Sequence, residues 1–519
     1  VSGTYYVTTP IYYANAEPHI GSAYTYCLAD VLTRFHRLRG LESWLVTGTD
    51  EHGEKIVEAA AQRGIAPKPF ADEISAQFRA IWEGLGLRAD RFVRTTDPDH
   101  VRNVQTILQR VYDAGWIELR EYDGLYCVGC ERFLTDRDLV DGKCRDHERV
   151  PEHRHESNYF FLMSREFGWL RDTIERNPDF IRPARYRNEA LAMLRDESGL
   201  GDLSISRPKA RLDWGIELPF DRGHVCYVWF DALISYLTGA GYPDAPEFPA
   251  RWAVAEHLIG KDILKPHTIF WPIMLKAAGL SPPRHISVHG FWTVEGRKMS
   301  KSLGNVLSPV EMRDRYGFEA FRYALLREMS FGLDADLRDA ALVERINADL
   351  ANNLGNLVSR TLNLTDRLTG GLVPAPDESL LGEPERALAA LASQTVKSAD
   401  EFVESLELHR ALEEIFRVVD AANRLLDLRA PWKAAKQPDG EPAVRTTLYV
   451  TCEALRVAAL LLAPFLPEAS AEILARIGLQ GALDCARLPE DAARWGGIQV
   501  GASTRKGDAL FPRLEAKKS

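Results

Sequence analysis

The chain has 519 residues, with 64 Lys and Arg against 74 Asp and Glu, hence a formal charge of −10. Apolar residues make up 45% and charged residues 27%, which excludes wholesale disorder, and no apolar run approaches the ~20 residues needed to span a bilayer. The acidic total excludes a general nucleic-acid coat protein but leaves an RNA partner open if local basic patches read it.

At ~100–200 residues per domain, roughly three or four domains are expected. Tyr5–Thr9 is β-branched and aromatic, so a strand begins almost at once and no signal or transit peptide is expected. From Ile20 to Arg39 apolar residues recur at helical spacing, Gly40 suits a helix end, and Ser43–Val46 reads as the next strand. Strand, helix, strand with short links means a parallel pair in a doubly wound α/β domain. Between 115 and 225 cysteines, histidines and charges crowd together, an insertion splitting that domain into halves at 1–114 and 226–285. Residues 286–340 carry a strand, a basic loop and helices; 341–500 read as a helical bundle; 501–519 read as a tail that frays at its end. Seven cysteines are too few for a disulfide scaffold and suit a reducing, cytoplasmic setting. Cys27, Cys226, Cys452 and Cys485 are expected to be packing residues, and His36 and His409 to lie on helix surfaces.

The loop from Ala14 to Ser22 links the first strand to its helix, where open parallel sheets bind ligands and a helix start offers free N–H groups to phosphate. His19 could donate to a phosphate oxygen, and Gly21 would let a flat group approach the backbone. Alone, the loop reads more readily as a Pro-started helix with an incidental His and Gly. A second loop, Gly296–Asn305, holds Arg297, Lys298 and Lys301 with two serines, ahead of a capping box at Ser308-Pro309-Val310-Glu311. Such a loop suits charge on a triphosphate, although most charge runs are solvated turns.

His19-Ile20-Gly21 followed much later by Lys298-Met299-Ser300-Lys301-Ser302 resembles the paired hallmarks of class I aminoacyl-tRNA synthetases. Thr9–Asn15, Thr47–Gly53, Tyr227–Leu233 and Gly260–Ile263 further resemble the methionyl-tRNA synthetase family over nearly the whole chain. The resemblance implies a Rossmann-like parallel sheet split by an insertion and followed by a C-terminal helical bundle. It implies an enzyme that activates L-methionine with ATP and transfers it to the 3′-terminal adenosine of tRNA(Met), initiator included, with Mg2+ accompanying ATP. It assigns the methionine site to Ile11, Tyr13, Asp50, Trp229, Ala232, Leu233, Tyr236, Ile263 and His267, with Asp50 on the substrate ammonium. ATP falls to His19, Gly21, Ser22, Gly260, Asp262, Lys298 and Lys301, of which His19, Ser22, Lys298 and Lys301 are expected to be catalytic. Physically, Trp229, Ala232, Leu233 and Tyr236 fall at i, i+3, i+4 and i+7, one helical face whose aromatic edges and aliphatic walls suit a flexible, polarisable thioether.

Ser22 departs from the family pattern, which has a second histidine there. It is shorter and carries no positive charge, so either compensation or a weakened enzyme follows; a class I synthetase for another apolar amino acid and a tRNA-binding paralogue remain alternatives. Cys127-x-x-Cys130 with Cys144-x-x-His147 offers four soft ligands in two close pairs, the spacing of one closed, structural Zn2+ site. Synthetases for leucine, isoleucine and valine carry a large editing domain, for which 115–225 is too short. In the bundle, Asn352, Asn356 and Arg360 are spaced i, i+4, i+8 on a polar ridge, and Trp432 follows Pro431. A polar helical face is usually just solvated; the resemblance makes these four the anticodon readers. No added dimerising domain follows Glu515, so a monomer is expected.

Overall fold

A computed structural model describes residues 3–15, 17–128, 132–134, 138–145, 148–196, 200–299 and 305–515. These form two compact units, one of residues 4–25 and 44–290, the other of 1–3, 26–43 and 291–519.

The first unit is built on a six-stranded sheet. In chain order, strand β1 (Thr4–Tyr13) is followed by helix α1 (Ile20–Leu38), whose residues from 26 on belong to the second unit, then β2 (Glu42–Asp50), α2 (Glu54–Gln62), α3 (Pro67–Gly84), β3 (Arg91–Arg94) and α4 (Pro98–Asp113). The sheet order is β3, β2, β1, then the strands Ala255–Gly260, His285–His289 and Ile181–Arg182. Pairing is parallel between β2 and β3, between β1 and Ala255–Gly260, and on through the last two strands. Both faces of such a sheet are covered, so its strands are continuous apolar runs: Tyr5 to Thr9 are all buried. α1 ends as its sequence requires, with Gly40 left-handed at φ +79° just beyond it.

The segment 115–225 is not one separate block. Strand β4 (Ile117–Cys127) forms a long antiparallel ladder with Glu152–Phe161, but Ile181–Arg182 leaves that region to extend the parallel sheet. Two residues are too few to show a period, so the sequence texture concealed this strand. His285–His289 likewise carries the sheet past residue 285.

The second unit holds a three-stranded sheet (Trp292–Val294, Arg297–Lys298, Ala335–Leu337) and long helices, including Gly355–Thr369, Glu383–Glu404, Leu408–Arg429 and Glu441–Leu462. Ser308 caps Pro309–Tyr316 through its hydroxyl, which accepts from the Val310 amide at 3.2 Å. Buried Asp30 and Arg322 pair at 2.6 Å. Among the described residues no helix is long and apolar enough to cross a membrane.

Three expectations are corrected here. His36 is buried, edge-on to Phe35, whereas Cys485 is exposed rather than packed. Nor does 501–515 fray: Val373 N–H donates to Ala502 O at 2.9 Å, Thr504 N–H to Gly371 O at 2.7 Å, and Leu514 exchanges two bonds with the Asn347 amide. Irregular backbone stays put when its N–H and C=O groups find partners; residues 516–519 lie outside the described residues.

Gly48 faces Val93 across the β2–β3 pair, where an added Cβ would fall 1.9 Å from the Val93 carbonyl oxygen and 3.0 Å from Ile11 Cγ2. Backbone atoms cannot yield as a side chain would. Gly48→Ala is therefore expected to lower unfolding free energy by about 1–3 kcal/mol or more in urea titrations; an unchanged midpoint would contradict this packing.

Candidate functional site

β1 lies between strands that follow it on opposite sides, so the chain reverses direction across the sheet at the carboxyl ends of β1 and Ala255–Gly260. A crevice opens at such a switch point. It gathers Ile11 and Tyr13 from the end of β1, Asp50 from the end of β2, His19, Gly21 and Ser22 from the start of α1, and Gly260 to His267 beyond their strand.

At the helix start Gly21 N–H donates to His19 Nδ1 at 3.0 Å. With Nδ1 accepting, a neutral ring carries its proton on Nε2. A Cβ on Gly21 would sit 2.9 Å from His19 Cε1, so glycine allows the ring to fold against the helix. Ser22 is buried, and its carbonyl accepts from Tyr12 OH at 3.3 Å. The first amides of α1 have no partner within the helix and face this end with its positive dipole. A Cβ on Gly260 would meet Asp262 Oδ1 at 2.5 Å, so glycine there lets the exposed Asp262 carboxylate turn back.

The pocket wall is the helix Val228–Ala240. Ala232, Leu233 and Tyr236 are buried on it, and Trp229 is half-buried. Tyr236 OH lies 2.7 Å from His267 Nε2, and His267 Nδ1 lies 2.8 Å from Ile263 O. A carbonyl only accepts, so His267 carries its proton on Nδ1 and Nε2 accepts from the phenol. Burial pushes the His267 pKa down to about 4, keeping the ring neutral. Burial, then the Tyr12 phenol and the Asp50 charge, push the Tyr236 phenol up. Trp229 meets His267 edge-on at 6.2 Å. Behind the wall His257 stacks on Tyr236 with centroids 4.2 Å apart, accepts from the Trp271 indole at 3.1 Å and contacts Thr8 Oγ1 at 2.9 Å. The result is an aromatic, uncharged face with Asp50, itself buried, at the neighbouring strand end.

Two features escaped the sequence reading. His289 ends the strand His285–His289, buried, with Nε2 2.7 Å from Thr25 Oγ1 and its ring edge-on to Tyr24; a histidine after an apolar strand run was the available signal. Glu51, next to Asp50, is held by Arg94 at 2.7 and 2.8 Å and by the Thr49 and Thr96 hydroxyls.

Of the other expected residues, Lys298 lies on a strand paired with Thr293, while its side chain and all of Lys301 lie outside the described residues. Cys127 and Cys144 are both buried in one small cluster with Leu134, against Leu139; Cys130 and His147 lie outside the described residues. In the helical unit Arg360 Nη2 donates to Asp427 at 2.6 Å, and its guanidinium lies 5.5 Å from the centroid of the Trp432 ring. Trp432 is 36% exposed and follows Ala430, a non-glycine residue at φ +39°. Asn356 reaches Asn423 at 3.4 Å. Asn352 lies in the π-helical stretch Ile346–Leu354, one turn before Asn356 in the α-helix that follows. Asn352 and Asn356 together line a cleft of about 520 Å³ against residues 506–511, and Arg360 and Trp432 are not among its lining.

A family model described as "tRNA synthetases class I (M)" matches residues 5–150 and 137–362, and one for the anticodon-binding domain of methionyl tRNA ligase matches 375–519. The chain is 44% identical to the methionine–tRNA ligase of Deinococcus radiodurans, over 99% of this chain and 75% of that protein. It is 41% identical to that of Thermosynechococcus vestitus, over 98% and 97%. The structure of Mycobacterium tuberculosis methionyl-tRNA synthetase in complex with methionyl-adenylate superposes with a TM-score of 0.91 at 39% identity, covering 98% of this chain and all of that one.

Because the folded pKa of His267 lies below the usual imidazole value, the unfolded chain binds the proton more readily. Its contribution is therefore full above about pH 6.5 and is lost as pH falls towards about 4. Between pH 7 and 5 this one ring is expected to cost about 2 kcal/mol. Denaturant melts should show a smaller acid loss in His267→Gln than in the unsubstituted chain; equal losses would contradict a neutral, buried ring.

Proposed function

The chain belongs to the methionine–tRNA ligase family of class I synthetases, and we propose how its own residues divide that work. It activates L-methionine with ATP and transfers the methionyl group to the 3′-terminal adenosine of tRNA(Met), releasing AMP and pyrophosphate. The observation that carries this reading is the neutral Tyr236–His267 pair beside Asp50 at the switch point of the sheet.

Methionine binds with its ammonium on Asp50 and its side chain against Ile11, Tyr13, Trp229, Ala232, Leu233, Tyr236, Ile263 and His267. A polarisable thioether fits aromatic edges without needing a charge, and a bonded Tyr–His pair leaves no strong donor unsatisfied when an apolar chain enters. The methionine carboxylate attacks the α-phosphorus, the bond to the β-phosphate oxygen breaks, and pyrophosphate leaves. The adenylate then yields its acyl group to the ribose hydroxyl with loss of AMP. No enzyme nucleophile is needed; positioning and charge stabilisation supply the rate. His19 and Ser22, at the amide end of α1, address the phosphates with Gly21 and Gly260, and Asp262 completes the nucleotide edge. Lys298 and Lys301 neutralise the triphosphate, and magnesium bound with ATP would add further charge neutralisation.

Two buried thiols in one cluster, Cys127 and Cys144, suit the soft half of a tetrahedral donor set, and Cys130 and His147 would complete it for structural zinc. Zinc there would tie the end of β4 to the segment at Cys144 and supply no step of the reaction. Asn352, Asn356, Arg360 and Trp432 read the anticodon by amide and guanidinium hydrogen bonds and by stacking. We treat the chain as a cytoplasmic monomer.

The chain should catalyse methionine-dependent ATP–pyrophosphate exchange. Trp432→Ala should raise the KM for tRNA by roughly ten- to a hundredfold, a stacking contact's worth, with exchange within about twofold; equal losses in both would refute a separate RNA-reading role. Ser22 is buried, so an imidazole there would have to displace its neighbours. Ser22→His is therefore expected to bring no gain in exchange rate, and a several-fold rise would mark the natural chain as weakened.

A further inference from the structure

Beneath the pocket lies a buried group that the reaction does not use. Asp231, in the first turn of the Val228–Ala240 helix, sits between pocket residues Trp229 and Ala232 but points away from solvent, its side chain 1% exposed. One carboxylate oxygen meets His52 Nδ1 at 2.6 Å, and the other meets His100 Nε2 at 2.7 Å. His52 belongs to the loop after β2, two residues beyond Asp50, and His100 belongs to α4. His100 Nδ1 lies 3.1 Å from Thr238 Oγ1, further along the Asp231 helix, and the Asn103 amide donates to that same oxygen at 3.1 Å and to Tyr242 O at 2.8 Å. The Trp214 ring lies 5.3 Å from His52 and its indole donates to Glu51 O at 2.6 Å.

Donor and acceptor roles close in one direction along this chain. An ionised carboxylate accepts twice, so each imidazole donates to it. With the ring neutral, His100 Nδ1 accepts from the Thr238 hydroxyl, whose oxygen accepts from Asn103. The network ties three elements at one point: the loop bearing Asp50, the helix bearing the aromatic wall, and α4. Glu51, fixed by Arg94, holds the same loop from its other side.

We propose that Asp231, with His52 and His100, is a positioning clamp that sets the separation between the ammonium-binding Asp50 and the side-chain wall at Trp229–Tyr236, and so governs affinity for methionine. The clamp rests on the methionine reading of that pocket. Its substrate dependence follows from placement: both clamped elements carry methionine contacts, whereas the start of α1 addresses ATP.

The test is methionine-dependent ATP–pyrophosphate exchange with full-length His52→Leu and His52→Asn, each with KM measured for both substrates and a melting temperature. An asparagine amide places a donor close to where Nδ1–H stood. His52→Leu is expected to raise the methionine KM at least about tenfold while the ATP KM stays within about twofold, and His52→Asn to recover most of the loss. His100→Leu and His100→Gln, whose amide replaces Nε2–H, carry the same expectation should His52→Leu not fold. A lowered melting temperature with unchanged methionine KM, or equal rises in both KM values, would overturn the clamp. Asp50→Asn separates the two ideas: if it leaves the methionine KM unchanged, the pocket assignment fails, whatever the histidine variants show.

Discussion

Burying a phenol and an imidazole side by side is costly unless each answers the other, and Tyr236 and His267 do so across 2.7 Å. The Ile263 carbonyl fixes which ring nitrogen keeps the proton, so the remaining nitrogen can only accept. The site depends on that constraint. It lets two polar residues line an apolar pocket without placing a charge or an open donor in it, which leaves Asp50 as the ionisable group with a role for the substrate ammonium. Recognition then divides physically: shape and polarisability for the side chain, one carboxylate for the ammonium, helix amides for phosphate.

The same accounting recurs one layer down. Asp231 is held below the usual carboxylate range although burial opposes it, because His52 and His100 favour the charged form. Removing a partner from such a buried group typically costs several kcal/mol, whereas the intact pair contributes little net stability. Its worth therefore lies in geometry. His257, kept neutral by burial and satisfied by Trp271 and Thr8, backs Tyr236 in the same way. Polar groups throughout this unit fix the placement of elements that apolar packing alone would let slide.

What could be read from sequence was what carries a period or a short motif. β1 and α1 were legible from apolar spacing, Gly40 from helix-end chemistry, and Trp229 to Tyr236 from a shared helical face. The hidden features are long-range pairings that carry no sequence period. Ile181–Arg182 joins the parallel sheet in only two residues, and the Asp231 clamp joins positions 131 and 179 residues apart. The π-helical stretch at Ile346–Leu354 carries no sequence period of its own either. Burial of His36 and the pinning of 501–515 likewise depend on neighbours that no local window contains.

Burial and an internal hydrogen bond keep the pocket neutral. Methionine keeps its ammonium and carboxylate charges throughout the weakly acidic and neutral range, so a titrating pocket would reveal itself in the ligand's affinity. The direct measurement is the calorimetric Kd for methionine without ATP from about pH 5.5 to 8. The Kd is expected to stay constant within about twofold across that range, since His267 stays neutral until about pH 4. A Kd that weakens with a midpoint near the ordinary imidazole value, and loses that dependence in His267→Gln, would contradict it.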